Sequence, residues 1–393
     1  VEAIVIAARI ALPALLLVLG ACASPAETQS IAASPGASPA SVIPATPSPS
    51  QSPDRPPAAT AEPSADPLGP REVAAIVEPI AIDGTRVLGL DAAQSAVVLD
   101  LLEGSVVTLP LGLEPNLRDL DGDIVVGMRE SDNRKHPVAL IYDVATGSMI
   151  DAGFGERRDS FAMRSDGGLV AGRADGAGLF VLNTLTGRMR TIDAFNDQDR
   201  VWVNGFSHDR LAGTYGPFDA EQAWLYDLGT DEATDLHGLL GGSPRNSWAR
   251  AMDGDLVVGG VETPVTFVHR PWMFDAASGV MTDLGAGAPG SGDLVAIDGT
   301  LAVADITLAD GLAHAFVLDL VDGTWRQLPD EVPPPGVAAT GRASIAIDIS
   351  GELVLGTSGW ALPDGSRASH VVIWDLSAYT GDASRQGPGG SRA

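Results

Sequence analysis

From about residue 71 onward, short apolar runs alternate with Asp-Gly turns, and nowhere does the apolar spacing settle into a helical period. Such runs read as strands joined by tight turns, an all-β pattern. Two stretches nearly copy each other: LDGDIVVG at Leu120–Gly127 and MDGDLVVG at Met252–Gly259. Setting them in register exposes an array. RVLG ends at Gly89, IVVG at Gly127, LVAG at Gly172, RLAG at Gly213, LVVG at Gly259, LAVA at Ala304 and LVLG at Gly356.

Every unit continues in the same way. An apolar run closes on Asp or Asn, at Asp100, Asp143, Asn183, Asp227, Asp275, Asp319 and Asp375. A Gly four residues later recurs at Gly104, Gly147, Gly187, Gly279 and Gly323, with Asp231 in its place in the fourth unit. Asp or Asn can bond its own backbone and Gly takes the left-handed position, so this spacing suits a tight hairpin. A short strand follows, as in SVVTLP or VMTDLG, and another precedes each VVG-like strand, as in PIAIDG or WARAMDG. Four strands per unit and seven units predict a seven-bladed β-propeller of four-stranded antiparallel blades. The seventh unit ends at Trp374-Asp375-Leu376 without a fourth strand, and REVAAIV at Arg71–Val77 could supply it. An N-terminal strand closing the last blade would remove the edges that an open ring exposes. A six-bladed ring with one stray repeat is the alternative.

The unit pattern A-I-D/N-x-x-G-x-VVG, then an aromatic-Asp strand, then G-x-M-T-D-LG, resembles the bacterial extracellular HAF repeat over about residues 78 to 377. HAF itself occurs once, at His314-Ala315-Phe316, and VMTDLG at Val280–Gly285 is the best match to the last strand. Other units carry Ser95, Val138, Gly178, Gln222, Arg270 and His370 at the histidine position. The resemblance implies a secreted propeller and brings no single chemistry with it.

The N-terminal region has another texture. Ile10–Gly20 is a short apolar run after Arg9, of signal-peptide rather than membrane-spanning length. It leads into Leu19-Gly20-Ala21-Cys22, which resembles the bacterial lipobox and implies cleavage before Cys22 and lipidation of its sulfur. Cys22 is the single cysteine, so intrachain disulfides and multi-cysteine zinc sites are excluded. Residues 1–21 are thus expected to be a lipoprotein signal peptide. Residues 22–70, rich in Pro, Ser and Ala, are expected to form an extended tether, followed by the propeller at 71–378 and a disordered tail at 379–393. The expected place is the bacterial cell envelope, outside the cytoplasmic membrane, with the lipid as the sole membrane contact. A formal charge of −27 disfavours nucleic acid and anionic lipid surfaces as partners.

Candidate chemistry is sparse. The stretch Asp119-Leu120-Asp121-Gly122-Asp123 resembles part of a calcium loop, but its Gly comes one step early, and a hairpin turn is the better reading. GAGAPG at Gly285–Gly290 fits G-x-G-x-x-G in letters only, since it opens no helix. The six histidines show no metal spacing. His314 and His370 share one repeat position, which favours hydrogen bonding between blades, and Tyr142, Tyr226, Phe274 and Trp374 share another, which favours packing. No catalytic or metal residue stands out, and no cofactor is expected.

Loop length is the better pointer. In a propeller the first and third turns of each blade lie on one face, and the second turn and the blade-to-blade loop on the other. The first set is tight and repetitive; the second is long and irregular, and variable loops on a rigid scaffold are where binding usually sits. Those loops and their flanks gather Arg129, Arg134, Lys135, His136, Trp202, Tyr215, Trp248, Arg250, His269, Arg270, Trp360 and Arg367. In an acidic chain this clustering points to an anionic or carbohydrate-like ligand. The expectation is a monomeric binding module for an envelope protein or surface polymer. A hydrolase or lyase on extracellular glycans and a structural envelope component are the alternatives.

Overall fold

A computed structural model describes residues 69–377, apart from 114, 131–135, 156–157, 197, 199, 243 and 265–266. The signal, lipobox, most of the tether, the C-terminal tail, and Arg134 and Lys135 lie outside the described residues. Strand β1 is Arg71–Glu72. Blade 1 holds β2 (Glu78–Asp83), β3 (Arg86–Leu90), β4 (Ser95–Asp100) and β5 (Val106–Leu113). Blade 2 holds β6 (Asn116–Asp121), β7 (Ile124–Glu130), β8 (Pro137–Asp143) and β9 (Ser148–Met149). Blade 3 holds β10 (Ser160–Asp166), β11 (Leu169–Ala174), β12 (Gly178–Asn183) and β13 (Met189–Ile192). Blade 4 holds β14 (Trp202–Ser207), β15 (Arg210–Tyr215), β16 (Gln222–Asp227) and β17 (Glu232–Asp235), with one helical turn, α1 (Leu236–Leu239), after it. Blade 5 holds β18 (Asn246–Asp253), β19 (Leu256–Glu262), β20 (His269–Asp275) and β21 (Val280–Asp283). Blade 6 holds β22 (Ser291–Asp298), β23 (Leu301–Thr307), β24 (Ala313–Asp319) and β25 (Thr324–Gln327). Blade 7 holds β26 (Gly341–Ser350), β27 (Leu353–Ala361) and β28 (Arg367–Asp375).

The chain forms a seven-bladed β-propeller of four-stranded antiparallel sheets. The fourth strand of blade 7 is β1, paired with β28 through Arg71↔Ile373 and Glu72↔Val372. Val73 extends the seam, its N–H donating to the Val371 carbonyl at 2.8 Å. Ring closure is therefore made by the N-terminal end of the described chain on its C-terminal strand. Among the described residues no helix is long and apolar enough to cross a membrane.

The core sits between blades rather than within them. Leu179 and Val181 of blade 3, for example, pack with Val203, Leu211 and Trp224 of blade 4. Trp224, Trp272 and Trp374 are fully buried, and Tyr142, Tyr226 and Phe274 nearly so. Each large apolar side chain so buried stabilises the fold by about 1.5–3 kcal/mol.

The repeated dipeptide Asp-Gly has a specific task. The last side chain of each inner strand reaches the next blade's first turn and accepts from its backbone N–H. Gly122 donates to Asp83 (2.7 Å), Gly254 to Ser207 (2.9 Å), Gly299 to Asp253 (2.7 Å), Gly351 to Asp298 (2.6 Å) and Gly84 to Ser350 (2.9 Å). His208 donates to Asp166, and the Gly167 and Gly168 amides face Asp121, so the chain of bonds runs round the whole ring. The donor residue takes φ between 54° and 58° in all seven turns, a left-handed conformation that suits Gly; blade 4 alone places His208 there. The carboxylates of the calcium-like stretch diverge accordingly: Asp119 accepts from Ser165, Asp121 faces blade 3 and Asp123 pairs with Arg86 at 2.7 Å.

The Gly that ends each VVG has a different cause. A Cβ built on Gly259 would lie 1.8 Å from the carbonyl oxygen of Trp248, and on Gly213 it would lie 1.9 Å from that of Trp202. The inner strand presses its backbone onto this position, an approach that favours Gly; blade 6 alone places Ala304 there. The pressure follows from a bulge in every inner strand, where the register shifts three residues before the turn, at Ile80, Arg118, Met163, Asn204, Arg250, Val295 and Ile347. Bulges bend a strand and re-aim its side chains; here they aim them at the axis.

Candidate functional site

Seven inner strands enclose a central cavity of about 190 Å³, lined by residues from every blade, among them Arg118, Asp119, Arg164, Asn204, Arg250 and Asp348. Five residues before the turn, towards the long-loop face, lies a second tier. It reads Glu78, Asn116, Phe161, Trp202, Trp248, Asp293 and Ile345 from blade 1 to blade 7. Three consecutive blades thus present a large aromatic at the same place, each part-exposed. The Phe161 and Trp202 rings meet edge to face with centroids 6.3 Å apart. The Arg118 guanidinium lies over Trp202 at 5.7 Å and that of Arg250 over Trp248 at 5.2 Å. Trp248 donates to the Glu221 carboxylate, which fixes its plane, and His269 packs against it at 4.9 Å.

Beside this crescent the channel wall is polar. His269 Nδ1 and Arg250 Nη2 approach Asp293 Oδ2 at 3.3 and 3.4 Å. Burial alone would raise the Asp293 carboxyl, but the hydrogen bond from His269 and the charge of Arg250 hold it below the usual range. The same bond raises His269. The cross-strand neighbour of Asp293, Asp305, is pushed up to about 8 by burial, with the Asp293 charge adding to the effect. Deeper in, burial raises Asp119, and it carries Asp348 to about 7. Each of these two carboxylates accepts a backbone N–H from the following blade, Asp119 from Ser165 at 2.8 Å and Asp348 from Ile82 at 2.9 Å.

Of the residues singled out from the sequence, Trp202, Trp248, Arg250 and His269 come together at this mouth. The others are dispersed. His136 pairs with Asp159 at 2.7 Å between blades 2 and 3. Arg129 lies at the end of β7, Tyr215 donates to Gln222 at 2.7 Å, and Arg270 is held by Asp283 at 2.7 Å on the outer side of blade 5. Trp360 is buried with its edge to His370, and Arg367 is exposed nearby on blade 7. His314 bonds Asp330, which also accepts from Ser344 of blade 7, so this histidine does link blades. His370 Nδ1 donates to the Glu331 carboxylate at 2.8 Å, and with Glu72 these form the one convergent set of three metal-type side chains among the described residues.

Phe161, Arg118, Arg164 and Asp293 were not singled out. The signal for them was present: Phe161 and Asp293 share the column of Trp202 and Trp248, Arg118 shares that of Arg250, and Arg164 stands one residue on, in the column of Asp119 and Asp348. Reading the inner strand as columns, rather than the loops as segments, collects all of them.

No protein-family model matches the sequence, and no curated protein matches it. Solved structures share the scaffold at a distance. An oligogalacturonate lyase in complex with manganese is 15% identical over 78% of this chain and 91% of that one, with a TM-score of 0.48. The β-propeller domain of the Trilobed protease from Pyrococcus furiosus is 10% identical over 80% and 97%, at 0.47. Pyrococcus horikoshii acylaminoacyl peptidase is 12% identical over 79% of this chain and 53% of that one, at 0.49. At these identities and scores they carry nothing about what this chain binds.

Proposed function

We propose that this protein is a binding module that takes a surface glycan at the long-loop mouth of its central channel. One observation carries the reading: Phe161, Trp202 and Trp248 stand side by side on three consecutive inner strands, part-exposed to the mouth. Trp224, Trp272 and Trp374 are buried in the core; Phe161 and Trp202 pack against that core as well, but with Trp248 they keep part of their surface exposed. Flat rings so placed suit the apolar faces of sugars, and the polar groups around them suit hydroxyls, a combination typical of small-ligand sites. The lipobox-like Leu19–Cys22 and the resemblance to the HAF repeat support a place in the bacterial envelope, with the ligand on the cell's own or a neighbouring surface.

The test is a panel of envelope and extracellular polysaccharides, with binding to the full chain and to a Trp202→Ala/Trp248→Ala variant measured by calorimetry. Aromatic stacking and area burial at two rings predict a loss of roughly 100-fold or more in the variant. Equal binding by both proteins would remove the channel mouth from consideration. Fatty-acid labelling tests the anchor: Cys22→Ser should abolish it.

Catalysis on the bound glycan is the second reading, favoured by the neighbouring Asp293 and Asp305 with their opposed shifts. It requires that bound polymer be shortened over time, and that Asp305→Asn stop this without loss of binding.

A further inference from the structure

Three guanidiniums, those of Arg118, Arg164 and Arg250, line the channel below the aromatic crescent. Arg164 is fixed by backbone: its Nε donates to the Asn204 carbonyl at 2.6 Å, and Nη1 donates to the Arg118 and Met163 carbonyls at 3.0 and 3.2 Å. Carbonyl oxygens orient a guanidinium without neutralising it. Arg118 is less satisfied still. Among the described residues its contact is the face of Trp202, with no hydrogen bond or ion pair. Burial lowers its proton affinity, and the like charge of Arg164 lowers it further. Arg250 makes one long contact to Asp293, and its buried Nε has no partner among the described residues. Asp119 and Asp348 line the same cavity, each oriented by a backbone amide of the next blade, and among the described residues neither forms an ion pair with Arg118 or Arg164.

A partly buried guanidinium without hydrogen-bond acceptors is costly, and a carboxylate that approaches its fork in plane supplies two at once. Arg118 sits between the Trp202 ring and the cavity. A sugar held at the part-exposed crescent would carry a substituent towards the guanidinium. The cavity, about 190 Å³, holds the volume of roughly six liquid waters, enough for the charged end of one sugar residue and too little for a chain.

We infer that the ligand is an acidic glycan, and that one of its sugar carboxylates enters the channel to pair with Arg118 and Arg164 while the rest of the sugar lies at the aromatic crescent. This rests on the glycan-binding reading above and names its substrate class. The outer charge of the protein sharpens the choice. A chain with a formal charge of −27 repels a densely charged polymer such as a nucleic acid, which carries one charge per roughly 1.7 Å. The same field opposes an acidic glycan less per unit length, so the gain in binding has to come from the one anion that reaches the arginines inside the mouth.

The test uses the full chain and three probes: a panel of uronate-containing oligosaccharides, the same oligosaccharides with their carboxyl groups reduced to alcohols, and inorganic sulfate. Affinities are measured for the wild type, Arg118→Met, Arg118→Lys, and Arg367→Met as a rim control. Arg118→Met keeps the stem against Trp202, and near-ultraviolet circular dichroism checks that the tryptophans stay ordered. The expected result is that the acidic oligosaccharide binds roughly 10- to 100-fold more tightly than its reduced counterpart. Arg118→Met should erase that ratio, Arg118→Lys should restore part of it, and Arg367→Met should leave it unchanged. Equal affinity for acidic and reduced oligosaccharides would overturn the carboxylate inference while leaving glycan binding intact. Tight binding of sulfate alone, with no gain from the sugar, would overturn it in favour of a free-anion site. If neither oligosaccharide binds, the glycan reading and the inference fall together.

Discussion

Replacing Ile76 by Ala should weaken ring closure by an amount that can be worked from the contacts. Ile76 is 2% exposed and belongs to a cluster with Ile82, Val87 and Leu99 of blade 1 and Val371 and Ile373 of blade 7. Its Cγ2 lies 2.4 Å from where a Cβ on Gly89 would be, so the missing side chain of that Gly is the space Ile76 fills. The substitution removes three carbons, about 2.4 kcal/mol of transfer free energy. The vacated volume of roughly 75 Å³ adds up to about 1.8 kcal/mol if the site does not collapse. The expected loss is therefore about 3–4 kcal/mol, read as a lower guanidinium midpoint at unchanged slope in equilibrium unfolding of the full chain. A loss below about 1 kcal/mol would show that the Arg71–Val77 segment is not integrated into the ring, and the closure described for blade 7 would be wrong.

Three other outcomes follow from the same contacts. Gly259→Ala should cost on the order of 3 kcal/mol and shift tryptophan emission, because its Cβ meets the Trp248 carbonyl at 1.8 Å; unchanged stability and emission would contradict the close approach. His208→Gly should gain about 0.5–1 kcal/mol in urea unfolding by relieving φ 54° at a non-Gly residue, and a loss would refute that strain. Asp348, enclosed by the channel with Asp119 and Arg164, has a folded pKa raised to about 7. The native state then keeps a proton that the unfolded chain releases near pH 4, so this group's stabilising contribution is full below pH 4 and is lost as pH rises to 7. Asp348→Asn should therefore help more at pH 8 than at pH 4, by an amount approaching 4 kcal/mol, and equal effects at both would refute the burial argument.

The fold was legible because its constraints repeat. A turn that must bond the next blade needs Asp or Ser followed by a residue that accepts positive φ, and seven copies of that need print a visible Asp-Gly array. Closure was legible from the missing strand after Trp374. The site was less so. Trp202 and Trp248 were picked as parts of long loops, yet they lie on inner strands, and what unites them with Phe161 is a column position set by the bulges. A bulge depends on how two strands pair, so no single segment announces it. Arg118 and Arg164 were not singled out, since their meeting follows from seven inner strands lining one cavity. Tyr215, Arg270 and Trp360 were equally prominent in the sequence, but hydrogen bonds or burial fix each of them away from the mouth.

Oxidative footprinting of the full chain with and without a saturating acidic oligosaccharide tests the central claim most directly. The account predicts protection of Phe161, Trp202 and Trp248, with the exposed outer residues Phe218 and Phe267 oxidised as before. Protection of Phe218 or Phe267 while Phe161, Trp202 and Trp248 react unchanged would place the ligand elsewhere and contradict it.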